Sequence, residues 1–157
     1  MTAHRASALT WLRHVGACVL FAAASTALAD ADVDAGRARW RAADLGAYEY
    51  GYHKYCDCHR ETPPETVVTV RSGEVVGVRH RPQGSTVETQ AEQRNLQFYW
   101  TVEGLFALLD SALERGVTVR AQYDSTLGHP TEIFIDYDAA LIGDELDLRI
   151  TRVTALP

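Results

Sequence analysis

Between residues 101 and 137 the spacing of apolar positions changes, and each period names an element. Leu105, Leu108, Leu109, Ala112 and Leu113 recur at helical spacing and make one apolar stripe. Thr101 stands where a hydroxyl accepts a free N–H of the first turn, with Trp100 and Leu105 spaced as a hydrophobic staple around it. Glu103 in the first turn and Arg115 in the last suit the helix dipole, and Gly116 supplies a left-handed stop. The period then becomes two. Val117, Val119, Ala121 and Tyr123 alternate with Thr118, Arg120 and Gln122. Asp124 to Pro130 carries turn chemistry, and Ile133, Ile135 and Tyr137 alternate with Glu132, Phe134 and Asp136. A helix followed by an antiparallel hairpin is the expectation, the stripe covering the hairpin's inner face.

Earlier in the chain the same test gives a helix over Asp34 to Leu45. Trp40 and Leu45 anchor it, Arg37, Arg39, Arg41 and Asp44 form a solvated side, and Gly46 ends it. Tyr48, Tyr50, Tyr52 and Cys56 share one face of an extended run, a pattern of sheet core. Val67 to Val70 and Val75 to Val78 flank Ser72-Gly73 as a hairpin, with Val68 and Val70 inward. A two-residue turn and a glycine bulge both fit, and they bury different valines opposite. Arg79 to Asn95 reads as an irregular polar connection. Leu146, Leu148 and Ile150 alternate with Asp147, Arg149 and Thr151 as a last strand. The order α-β-β-β-α-β-β-β predicts an α+β two-layer sandwich: an antiparallel sheet of about six strands with two helices on one face. The two halves share that order but little sequence.

The start of the chain reads as an export leader over residues 1–29. Arg5, Arg13 and His14 precede an apolar run from Val15 to Leu28, and Ala27-Leu28-Ala29 offers small residues for cleavage. The run is short for a membrane span. Cys18 makes a poor lipoprotein site, because Arg13 and His14 interrupt the apolar run before it. Residues 30–157 then form a single domain in the periplasm or outside the cell, with no membrane span. The formal net charge is −6, and losing the leader, which has two arginines and no acids, makes the remainder more acidic. Such a domain, with no basic stripe, is a poor partner for nucleic acid or anionic lipid.

Three constellations carry candidate chemistry. His53, Cys56, Cys58 and His59 include soft ligands suited to copper or zinc. Cys56 and Cys58 also suit a local disulfide in an oxidising compartment, a redox pair, or free buried thiols. Strand residues two apart have Cα atoms about 6.6 Å apart. Disulfide Cβ atoms approach to about 4 Å, so a bond here needs a bend at Asp57 and is more readily reduced than a structural bridge. Asp136, Asp138, Asp144, Glu145 and Asp147 gather acids near a loop, but without calcium-loop spacing; edge-protecting charge is the plainer explanation. Asp124 and His129 share a turn but lack a nucleophile in a recognisable elbow, and Asp124 has a sufficient role in starting the turn.

Tyr55-Cys56-Asp57-Cys58 and the run Tyr123-Asp124-Ser125-Thr126-Leu127-Gly128-His129-Pro130, continuing to Asp136, resemble an exported bacterial family of unknown function, DUF6174, whose members are often lipoproteins. The resemblance covers the whole mature domain and implies structural motif positions at Tyr123, Asp124, Gly128, Pro130 and Asp136. It implies no catalytic residue. The helix and hairpin are also similar to exported PepSY-type modules, a common shape. The expectation is a non-enzymatic module without a cofactor, binding an envelope protein or a small ligand. The alternative is a thiol-redox or copper- or zinc-binding protein using Cys56 and Cys58; a hydrolase has no supporting motif.

Overall fold

The computed structural model describes residues 32–55, 65–82 and 84–157. Helix α1 (32–43) is followed by β1 (Ala47–Tyr55), β2 (Glu65–Arg71), β3 (Glu74–Arg81) and β4 (Thr89–Gln90). A 3₁₀ turn (Gln93–Phe98) leads to α2 (Val102–Glu114), β5 (Thr118–Tyr123), β6 (Pro130–Asp136) and β7 (Leu146–Ala155). The strands form one seven-stranded antiparallel sheet in the order β4-β3-β2-β1-β7-β6-β5. The first and last long strands therefore meet at its centre.

Seven strands replace the six expected. The stretch from Arg79 to Asn95 is more ordered than its composition suggests: β3 runs on to Arg81, and Gln90 and Thr89 pair with Arg79 and His80. A two-residue strand has no period to read, so pattern analysis misses it.

Helix α2 forms as its sequence requires. The Gly104 N–H donates to Thr101 Oγ1 at 3.0 Å, Val102, Leu105, Phe106, Leu109 and Ala112 are buried, and Gly116 takes φ +68°. Arg115 lies one residue past the last turn as its cap, over the Tyr137 ring at 4.7 Å. Helix α1 departs from expectation twice. The helix stops at 43 and Asp44 turns the chain at φ +47°, ahead of Gly46, where the pattern predicts its end. Arg37 is not on a solvated side: its guanidinium pairs with Asp110 on α2 and lies over Phe106.

Tyr48, Tyr50 and Tyr52 are buried as expected, against Val70, Val68 and Thr66 of β2. The β2–β3 turn has two residues, Ser72 (φ +50°) and Gly73 (φ +76°), and a bulge besides. Val70 faces Val75 and Val68 faces Val78, leaving Val76 as the extra residue, exposed. Ile133, Ile135, Leu148 and Ile150 complete the inner layer with the apolar face of α2.

Candidate functional site

The motif residues after α2 meet at one corner. Asp124 opens the β5–β6 turn by accepting from the Thr126 N–H at 2.9 Å and the Leu127 N–H at 2.6 Å through Oδ1. Those backbone donors, Leu127 first, hold its carboxyl below the usual range. Its own N–H donates to the His129 carbonyl, and the Gly128 N–H donates to its carbonyl. Gly128 has φ +79° and sits beneath α1, where an added Cβ would lie 2.6 Å from Arg39 Cβ. Gly36 is the matching surface on the helix: a Cβ there would lie 2.7 Å from Tyr123 Cδ1 and 2.9 Å from the Gly128 carbonyl oxygen. Both glycines are needed because two backbones cross in contact. Pro130 is buried opposite Tyr123, and the Tyr123 ring stacks on Phe106.

Asp124 and His129 are thus brought together, but through main-chain bonds. Asp124 Oδ1 is committed to the turn. His129 is buried against the edge of Trp40, with no hydrogen-bond partner for Nδ1 among the described residues. Burial lowers its pKa, while the negative charge of Asp124 partly opposes that shift.

A second clamp fixes α1 to the sheet. The Trp40 Nε1–H donates to Glu103 Oε1 at 2.7 Å, and the Tyr48 hydroxyl donates to Glu103 Oε2 at 3.1 Å while accepting from the Val102 N–H at 2.9 Å. Tyr50 donates to the Trp100 carbonyl. Burial raises the Tyr48 and Tyr50 phenols far above their ordinary range. Glu103 is therefore more than a charge placed for the helix dipole.

At the opposite pole, where β1 ends and β2 begins, Thr66 Oγ1 and His80 Nδ1 lie 3.0 Å apart and His80 Nε2 and Tyr99 Oη 3.5 Å apart. Burial lowers the His80 pKa. Sequence reading missed this group, although Thr66 and His80 interrupt inward-facing valine series. Of the proposed ligand set, only His53 lies within the described residues; Cys56, Cys58 and His59 lie outside them, in the connection 56–64. The His53 ring lies 4.0 Å from the Tyr55 ring, and its Nε2 is buried with no hydrogen-bond partner among the described residues.

The acids from Asp136 to Asp147 scatter into separate jobs. Asp138 accepts from the Ala140 N–H, Glu145 accepts from the Gly143 N–H, and Asp147 pairs with Arg149. Asp136 and Asp144 each keep one buried oxygen without a partner among the described residues. Among the described residues, no group of three or more His, Cys, Asp or Glu is placed to hold a metal ion.

The face of the sheet away from the tyrosines is polar. Glu49 accepts from Arg79 and Thr69, which holds its carboxyl below the usual range, and Arg149 pairs with Glu132. Arg120 lies over Phe134, its cross-strand neighbour, at 4.1 Å.

A family match runs over residues 32–155, from the first residue of α1 to the last of β7. The chain belongs to DUF6174, a family of unknown function. In this DUF6174 chain, Tyr123, Asp124, Gly128 and Pro130 build the corner that seats α1. No curated protein and no solved structure matches the chain. No helix among the described residues is long and apolar enough to cross a membrane.

Proposed function

We propose that this DUF6174 protein is an exported, non-enzymatic binding module of the cell envelope. Its leader is removed, and both helices lie on one face of the sheet in a two-layer sandwich. The reading is carried by one contrast within the sheet. The Tyr48 and Tyr50 hydroxyls and Asp124 Oδ1 are spent on internal bonds, whereas the outward residues Thr118, Arg120 and Gln122 of the β5 edge are exposed to solvent. A partner docks on such a face or adds a strand to such an edge.

The test is site-specific photo-cross-linking in intact cells. Probes at Thr118 and Gln122, both exposed on β5, are expected to give one reproducible adduct; a probe at Ser111, exposed on α2, is expected to give none. Substrate turnover by the purified protein, abolished by a single side-chain change, would remove the reading.

A second reading places a thiol-redox or copper- or zinc-binding site at Cys56 and Cys58. It is favoured by the buried Nε2 of His53, which has no partner among the described residues, on the strand that leads into that connection. Intact mass with and without reductant and alkylation, followed by copper and zinc titration, tests it. Cysteines inert to mild reductant, together with no metal uptake, end it.

A further inference from the structure

The two edges of the sheet are finished differently. At one end β4 has only two residues, and Arg81 and Glu88 pair beside it at 2.6 Å. Short strands and charge are the usual means of keeping an edge from recruiting another strand. At the other end β5 has six residues, and among the described residues its only strand neighbour is β6. Val119, Ala121 and Tyr123 point to the core side but are only half-buried, because the apolar layer stops at them. Arg120 is the sole charge on the strand, and its guanidinium is drawn back over Phe134, toward β6 and away from the free side. The long edge is therefore nearly neutral, with an unfinished apolar row.

We propose that β5 pairs antiparallel with β5 of a second copy of this chain, about a two-fold axis at Ala121. The proposal rests on the binding-module reading and names its partner. The register follows from the side chains. Centred on Ala121, the pairing sets Val119 against Tyr123 on the inner face and Arg120 against Gln122 on the outer face. It keeps residues 119–123 within the strand. Moving the axis to Arg120 opposes two guanidinium groups, which is unfavourable for directly facing residues. Moving it to Gln122 leaves only residues 121–123 paired within the strand, because Asp124 is already committed to its turn. A two-fold pairing of one patch with itself is the commonest route to a closed dimer. It would continue the row of Val119, Ala121 and Tyr123 into the same row of the second copy.

Sedimentation equilibrium on the protein expressed from the full chain, with matched Gln122→Arg and Gln122→Glu variants, tests this. Gln122 is exposed and faces Glu132 on β6, so circular dichroism and thermal unfolding check that each variant keeps the fold before the dimer is compared. The expected result is a dimer. Gln122→Arg, which sets like charges opposite Arg120 at two symmetric places, weakens it; Gln122→Glu tightens it. Each shift is roughly two- to thirtyfold in Kd. Both effects shrink in high salt. A folded protein that stays monomeric at about 100 µM, tenfold or more above a typical micromolar Kd, overturns the proposal. So does a dimer on which the two variants act alike. A monomer whose β5 probes still cross-link to a different chain sinks the second copy but leaves the binding module standing. A monomer with no adduct sinks both.

Discussion

The β2–β3 turn and the β5–β6 turn make the same demand on the backbone and meet opposite surroundings. Gly73 and Gly128 have φ +76° and +79°; nothing lies within 4 Å of a Cβ built on Gly73, while one on Gly128 would press on Arg39 and on the backbone of Gly36. The first glycine answers a local problem, the reversal of two strands. The second answers a long-range one, the seating of a helix whose Gly36 lies 128 − 36 = 92 residues earlier. The β5–β6 turn of this chain is therefore an attachment point for α1. The motif residues there are accounted for by architecture, which moves the search for function to surfaces the motif does not use.

The largest effect that sharpens this contrast is expected from Gly128→Ala. Strain at positive φ and overpacking against α1 together cost roughly 2–4 kcal/mol. Gly73→Ala in its open turn is expected to cost about 1 kcal/mol. Thermal or urea unfolding measures both, and equal losses would erase the distinction. Next comes Glu103→Ala, which strips acceptors from Trp40 and Tyr48 and is expected to cost about 2–3 kcal/mol. Hydrogen exchange should then quicken over 32–43 and leave β2 and β3 protected; uniform quickening would mean that α1 is not separately clamped.

The pH response separates the two turns at smaller scale. His129 has its folded pKa lowered by burial, so the unfolded chain binds a proton first as pH falls through the ordinary value of 6.5. Its contribution is absent above that pH and destabilising below it, with a slope of at most about 1.4 kcal/mol per pH unit. His80 acts in the same sense, so His129→Gln should reduce the slope without abolishing it. An unchanged slope in that variant would remove His129 from the account. The smallest effect is expected on the polar face: Arg79→Ala, breaking the pair with Glu49, should cost under about 1 kcal/mol. A larger loss there would mean that the face bears more of the fold than its exposure suggests.

What was legible in the sequence was what is local. The helix α2, its Thr101 cap, the Gly116 stop and the two strands after it are each specified within a few residues, and each stands where the pattern put it. The tyrosine face of β1 followed from period two alone. What escaped were features whose cause lies far along the chain. Arg37 looked solvated because its partner, Asp110, is 73 residues away. The role of Glu103 needed Trp40 and Tyr48 beside it. The register after Ser72-Gly73 depended on a bulge that a repeat of valines conceals. One signal was available and unused: Gly36 lies inside a helix, where glycine costs about 1 kcal/mol relative to alanine, and such a cost invites the question of what passes close by. The connection bearing Cys56, Cys58 and His59 lies outside the described residues, so the structure adds nothing to what the spacing there suggested.

The pairing of β1 with β2 has a practical corollary. Gly51 faces Val67 and Tyr52 faces Thr66, a register that brings His53 opposite Glu65. Exchanging residues 56–64 for Asn-Gly leaves the four residues Lys54-Tyr55-Asn-Gly to join that pair, a common hairpin length. The shortened chain should fold without Cys56 and Cys58, and any property that persists in it belongs to the sheet while any that vanishes belonged to the insert.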